Sequence, residues 1–308
     1  MGELAVETVQ LTKKYSGIAA VKDLNLKVPQ GKIYGFLGPN GAGKTTTLRL
    51  ITGLLKADAG KVFVQGKPMP ESRLDVLAKT GALIEKPAHY EHLTARENLD
   101  IARRLYHVAD TAAVDRALKA VGLEEAAGKK VKTFSLGMAQ RLGIAYTLLH
   151  QPELLIYDEP TNGLDPVWIH KIRTLLKDWC TKYGTTIIIS SHLLSEIGQL
   201  ADEIGVISEG RLCYQGTVPG LIGKTECVIG IVTDDQIAAA DLIRKEGVVI
   251  QWDDDNTLFV TGTPSRLQAV KKALKDKGIH ILNETGKDSV DSLEEAYLSL
   301  MNNEASVS

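Results

Sequence analysis

The stretch GFLGPNGAGKTTTLRLITGL, residues 35–54, constrains this chain more than any other. It carries the spacing G-x-x-x-x-G-K-[ST], with Gly38, Gly43, Lys44 and Thr45 at the fixed positions. The apolar run KIYGFL leads into it and a helix-length segment follows, the strand, glycine loop and helix context that the motif requires. Glycines let a backbone wrap a phosphate at close range, and successive N–H groups at a helix start form a fixed anion site. The loop Gly38, Pro39, Asn40, Gly41, Ala42 and Gly43 is therefore expected to hold a nucleoside triphosphate. Lys44 is expected at the β- and γ-phosphates, Thr45 on a Mg2+ ion and Thr46 at a further phosphate. An α/β core with ATP or GTP bound to it follows as the expectation.

The rest of the chain agrees with that core. Short apolar runs, GALI, ELLIY, TTIIIS and EIGVIS, alternate with helix-length amphipathic segments, the pattern of a parallel sheet covered on both faces. Ahead of them, residues 3–35 read as antiparallel β, with Leu24, Leu26 and Val28 alternating with polar neighbours and PQGK as a turn. Residues 94–150 read as wholly helical: TARE at Thr94–Glu97 is a capping box, and Gly122 and Gly128 are placed as helix stops. After YQGTVPG the periodicity resets. Residues 226–300 read strand, helix, strand, strand, helix, strand, closed by the helix SLEEAYLSLM, so a small ferredoxin-like βαββαβ module is expected there. With 308 residues, 44% hydrophobic and 24% charged, the chain can hold one large α/β domain and this smaller one, and its net charge of −2 offers no basic face for nucleic acid. Cys180, Cys213 and Cys227 are isolated, which predicts neither a disulfide framework nor a zinc site. No apolar run approaches the roughly 18 to 20 residues that span a bilayer, and MGELAVETVQ lacks a basic-then-apolar leader. A cytosolic chain is expected.

A second apolar strand, in LLIYDEP, ends in adjacent acids. Side chains alternate along a strand, so Asp158 and Glu159 cannot both face the core and can divide two tasks at its C-terminal end. Asp158 is expected in the Mg2+ shell and Glu159 at the attacking water. Ahead of this strand, in TFSLGMAQRLGIAYTLL, Ser135 is a natural N-cap, and the helix it opens presents unpaired N–H groups to a second anion.

The order P-loop, FSLGM, strand-Asp-Glu, NGLD and SSH resembles that of ATP-binding-cassette ATPases over about residues 3–217. FSLGM stands where the family has LSGGQ; Leu136 and Met138 depart from it, while Ser135 and Gly137 are retained, with Gln140 and Arg141 following. The resemblance implies a P-loop NTPase of cassette type: a RecA-like core, an antiparallel β subdomain and a helical subdomain at about 86–150, together residues 1–217. Residues 218–308 then form the C-terminal α+β module. It further implies that two cassettes, as a homodimer or a pair, pack head to tail with each ATP between the P-loop of one and the signature helix of the other. Ser135, Gly137 and Asp165 would meet the nucleotide or seam across that dimer, His192 would touch the γ-phosphate, and Tyr15 would stack on adenine or serve packing alone. An integral membrane permease is the implied partner, with the chain at the cytoplasmic face of the membrane and the cargo never touching it.

In most cassette transporters the loop joining core and helical subdomain begins with glutamine. In GALIEKPAHYEHLTARENL that position is Glu85, which either joins Thr45 and Asp158 at the metal or faces solvent as a hinge. Together with SLGM it resembles the bacterial subgroup that exports lantibiotics, bacitracin and similar peptides. The implied activity is ATP hydrolysis to ADP and phosphate driving a separate permease. Exporters of lipid, drug or ion would use the same chemistry. Soluble cassettes acting on DNA or ribosomes are less compatible, since those resemble tandem cassettes or chains split by coiled coils. Pro87 to His92 is expected either to face the permease or to be ordinary surface.

Overall fold

Alternation at the N-terminus resolves into an antiparallel sheet in the computed structural model, which describes residues 3–223, 227–245, 248–253, 257–285 and 289–305. Strands β1 (Leu4–Tyr15), β2 (Ile18–Leu24), β3 (Lys27–Pro29), and later β5 (Ala59–Val64) and β6 (Lys67–Met69), run in the order β2-β1-β5-β6, with β3 paired to β1. Thr8 bridges β1 to the β2–β3 turn from inside the core: its hydroxyl donates to Leu24 O and accepts from Leu26 N, each at 2.8 Å.

The apolar runs form a second sheet. Its strands are β4 (Ile33–Leu37), β7 (Thr80–Leu83), β8 (Leu154–Asp158), β9 (Thr186–Ser191), β10 (Glu203–Ser208) and β11 (Arg211–Gly216), in the order β11-β10-β4-β9-β8-β7. From β10 to β7 every pairing is parallel. Residues of β4, β8 and β9 are buried at every position, as strands covered on both faces require. Register aligns their C-terminal ends: Leu37 lies beside Ser191, and Asp158 beside Ser190. Three loops therefore leave one edge of the sheet side by side.

Helices α1 (Lys44–Ile51), α2 (Arg73–Leu77), α3 (Ala95–Leu105), α4 (Ala113–Ala120), α5 (Leu136–Leu148), α6 (Pro166–Tyr183) and α7 (Leu194–Leu200) complete this first unit. The capping box of α3 is present: Glu97 N donates to Thr94 Oγ1 at 3.2 Å and Thr94 N donates to Glu97 Oε2 at 2.7 Å. Residues 94–150 are not wholly helical, however. Turns and a short 3-10 segment, Val131–Thr133, occupy most of the stretch between α4 and α5. Gly122 stops α4 with a left-handed φ of 60°, whereas Gly128 has no left-handed backbone and lies within this turn region.

The chain divides into two units, Met1–Gln215 and Gly216–Ser308. The second comprises α8 (Val218–Ile222), β12 (Cys227–Thr233), α9 (Gln236–Lys245), β13 (Val249–Trp252), β14 (Leu258–Gly262), α10 (Pro264–Asp276), β15 (Ile281–Thr285) and α11 (Ser289–Ala305). Its sheet runs β13-β14-β12-β15 with all pairings antiparallel. Ile231, Ala239, Ile243, Val260, Val270 and Leu274 form a core of its own. Among the described residues no helix is long and apolar enough to cross a membrane.

Candidate active site

The glycine loop leaves β4 and returns as α1, as its spacing requires. Gly43 holds a φ of 106° where a Cβ would come within 2.4 Å of Ala20 O, so a side chain there would both strain the backbone and strike the neighbouring strand. Pro39, Asn40 and Gly41 are exposed, while Gly38 and Ala42 are buried against the sheet. Lys44 folds back over the loop. Its ammonium donates to Gly38 O at 2.7 Å and Pro39 O at 3.2 Å, and the side chain is 6% exposed. Thr45 and Thr46 follow on the first turn of α1, both half-buried.

Asp158 closes one side of the site from the end of β8. It is buried, and both carboxylate oxygens are engaged: Thr45 Oγ1 donates to Oδ2 at 2.6 Å and the Ser190 hydroxyl donates to Oδ1. Each buried oxygen thus has a hydrogen-bond donor. Ser190 also accepts from Glu159 N at 3.0 Å, so one serine of β9 orients both acids.

Glu159 does not continue the strand. Its backbone turns left-handed, with φ at 49°, and this carries the carboxylate away from the core and over the loop. Oε1 lies 3.5 Å from Lys44 Nζ and Oε2 lies 2.9 Å from His192 Nδ1. Lys44, Glu159 and His192, which are 115 and 33 residues apart by their numbering, thus share one cluster. A carboxylate so placed, between an ammonium and an imidazole, can accept a proton from water that approaches a phosphate at Lys44.

The oxygen donors suit Mg2+. Thr45 and Asp158 supply a hydroxyl and a carboxylate already within hydrogen-bond distance of each other, and among the described residues no three His, Cys, Asp or Glu side chains gather into a metal site of their own. That donor set fits an ion held by one or two protein groups and completed by phosphate oxygens and water.

Glu85 stands at the end of β7 on left-handed backbone, φ 65°. Its carboxylate is paired with the Arg49 guanidinium on α1, and not with Thr45 or Asp158. With Lys86, Leu136, Gln140, Asp158, Glu159, Asn162 and Gly163 it lines a cleft of about 570 Å3. Tyr15, at the end of β1, is 45% exposed, and with Glu85 it helps raise the Arg49 pKa.

The signature segment opens α5. Ser135 caps α5, accepting from Met138 N at 3.2 Å, and Gly137 stands against Gly163 and Leu164, where a Cβ would come within 3.0 Å of Gly163 O. Asp165 caps α6, accepting from Trp168 N at 3.0 Å. Gln140 Nε2 donates to Pro160 O at 3.2 Å, tying α5 to the strand end that bears Glu159. Arg141 lies 3.7 Å over the Trp168 ring and donates to Val121 O and Gly122 O at 3.0 and 3.1 Å. Burial lowers the Arg141 pKa, and the nearby Asp165 charge opposes that fall. The sequence reading assigned no role to Arg49, Ser190 or Trp168. Arg49 was findable as the residue one helical turn beyond Thr45, and Ser190 as the register partner of Asp158.

The family model described as ABC transporter matches residues 21–162. A bacitracin transport ATP-binding protein, BcrA of Bacillus licheniformis, is 40% identical over 298 residues, covering 96% of this chain and 97% of that protein. The lantibiotic transport ATP-binding protein SrtF of Streptococcus pyogenes is 41% identical over 210 residues, 68% of this chain and 90% of its own. Among solved structures, the dimeric post-hydrolysis state of the ATP-binding cassette MJ0796 bound to ADP and Pi superposes with a TM-score of 0.65 at 25% identity, covering 69% of this chain and 98% of that one. Motif order, sheet topology and these likenesses agree: the chain belongs to the ABC transporter family, as one of its ATPase subunits.

Proposed function

We propose that this chain is the ATP-binding subunit of a bacterial exporter of peptide antibiotics of the bacitracin or lantibiotic type, conferring self-protection or resistance. In that reading it works as a homodimer or paired cassette on the cytoplasmic face of the membrane, attached to a separate integral permease through the Pro87–His92 loop. Residues 1–217 act as the nucleotide-binding domain, with a helical subdomain at about 86–150, and 218–308 act as a C-terminal module. BcrA supports the bacitracin side of the comparison in particular, because its alignment runs through both units, whereas 210 residues are no longer than the first unit alone.

The observation that carries the enzymatic part is the placement of Glu159 between Lys44 and His192, beside the Thr45–Asp158 pair. Lys44 neutralises the β- and γ-phosphates. Glu159 takes a proton from the attacking water, and His192 orients Glu159 and reaches toward the γ-phosphate. Mg2+, held by Thr45 and Asp158 with Glu85 beside them, supplies positive charge to the phosphate oxygens. Ser135 and Gly137 serve the nucleotide of the opposite cassette, where a helix N-terminus favours negative charge, and Asp165 lies at the seam. Tyr15 stacks on adenine.

Glu159→Gln is expected to bind ATP with Mg2+ as the parent does while hydrolysing it at least about 100-fold more slowly. Undiminished hydrolysis would remove Glu159 from the role. The same variant, captured from native membranes with ATP and Mg2+, is expected to bring a permease with it, and cells carrying the pair are expected to survive bacitracin or a lantibiotic. Capture of ribosomes or DNA in place of a membrane protein would overturn the transport reading.

A further inference from the structure

Arg49 lies four residues after Thr45 on α1. In an α-helix that spacing sets two side chains on one face, one turn or roughly 5.4 Å apart. The Arg49 guanidinium holds the Glu85 carboxylate through Nη2 and Oε1, and this contact is the largest influence raising the Arg49 pKa. Glu85 lies two residues beyond β7, whose Leu83 pairs with Tyr157, the residue before Asp158. The carboxylate is thus held by the guanidinium while it lines one cleft with Asp158. It is paired with neither Thr45 nor Asp158, so in this arrangement Arg49, and not the Thr45–Asp158 pair, holds it.

We propose that Arg49 is a positioning residue that withholds Glu85 from the metal and releases it when ATP and Mg2+ fill the loop. The inference rests on the proposed reading of Glu85 as a metal-facing acid. The Arg49 and Glu85 side chains are 34% and 55% exposed, so the pair is strong enough to bias the equilibrium and weak enough to break. Exposed ion pairs of this kind shift an equilibrium by about two- to five-fold.

The test is a Mg2+ titration of ATP binding to the full chain carrying Glu159→Gln, so that no hydrolysis intervenes, at physiological ionic strength. Four forms are compared: Arg49 and Glu85 intact, Arg49→Gln, Glu85→Gln and the double variant. Arg49→Gln is expected to lower the Mg2+ needed for half-maximal binding by about two- to five-fold, Glu85→Gln to raise it, and the Arg49 effect to vanish once Glu85 is gone. Arg49→Lys, which keeps the charge without the fork, is expected to fall between, and it serves as the second variant should the glutamine form not fold. If Glu85→Gln raises the Mg2+ requirement while Arg49→Gln changes nothing, Glu85 keeps its role and the Arg49 proposal falls. An Arg49→Gln shift of equal size with and without Glu85 would mark a general charge effect and overturn the proposal. If neither variant moves the titration, the metal-facing reading of Glu85 falls with it.

Discussion

Ser190 shows how one hydroxyl can set two acids. It donates to Asp158 and accepts from the Glu159 backbone, so Ser190→Ala leaves a buried carboxylate oxygen without this donor, while Glu159 N keeps its bond to Ser190 O at 3.2 Å. The expected cost is about 1–3 kcal/mol of stability, read from denaturant unfolding, together with slower hydrolysis at unchanged ATP affinity. Two histidines predict how stability follows pH. Burial pulls the pKa of His89, stacked on Tyr146, and of His150, stacked on Tyr106, below the ordinary imidazole value, and at His89 the contact with Ala139 O at 2.9 Å opposes it. The unfolded chain then binds more protons than the folded one as pH falls through about 6.5. Stability is accordingly full above that value and declines below it, and a His89→Phe, His150→Phe variant is expected to flatten the decline in urea midpoints measured between pH 5.5 and 7.5. Sequence alone singled out Thr45 and Asp158, which the structure brings within hydrogen-bond distance, because each belongs to a short motif with fixed spacing. It missed the Arg49–Glu85 pair and the Ser190 contact because those depend on which strands become neighbours, and no local spacing encodes that.

Helix starts were readable for the same reason: Thr94 and Ser135 each cap a helix through contacts three residues away. Helix interruptions were less so. The turns from 121 to 135 are stabilised by distant groups, among them Arg141 donating to Val121 O and Gly122 O. Asn98 does similar work for the loop after Glu85. Fully buried on α3, it accepts from Tyr90 N and the Tyr146 hydroxyl and donates to Tyr90 O and Thr94 O, at 2.8 to 3.0 Å. Asn98→Ala is expected to cost about 2–4 kcal/mol and to open residues 87–93 to protease, which limited proteolysis with mass analysis would show. Trp168 joins α6 to α5 and to the end of α4. Arg141 and Lys171 lie over its ring, and a Cβ on Gly122 would come within 2.2 Å of it. Trp168→Ala is expected to lower stability by about 1–3 kcal/mol through lost cation–π and packing contacts, seen in the same unfolding experiment.

At the level of the entire chain, the division at Gln215 and Gly216 matters most. One hydrophobic core is built from Val6, Leu11, Phe36, Leu48, Ile156 and Ile188, and another from Ile231, Ile243, Val260 and Leu274. The periodicity resets after YQGTVPG, a change of hydrophobic pattern that is local, and β11 carries the six-stranded sheet to Gly216 before it. A chain ending at residue 217 is expected to fold cooperatively and bind ATP, checked by thermal unfolding with and without nucleotide; an unfolded product would show that the first core depends on the second unit. A seam that leaves two complete cores is also where recombination between genes does least harm. Such a tail can be inherited, exchanged or lost as a block, while the phosphate loop and its acids descend unchanged in the part that remains.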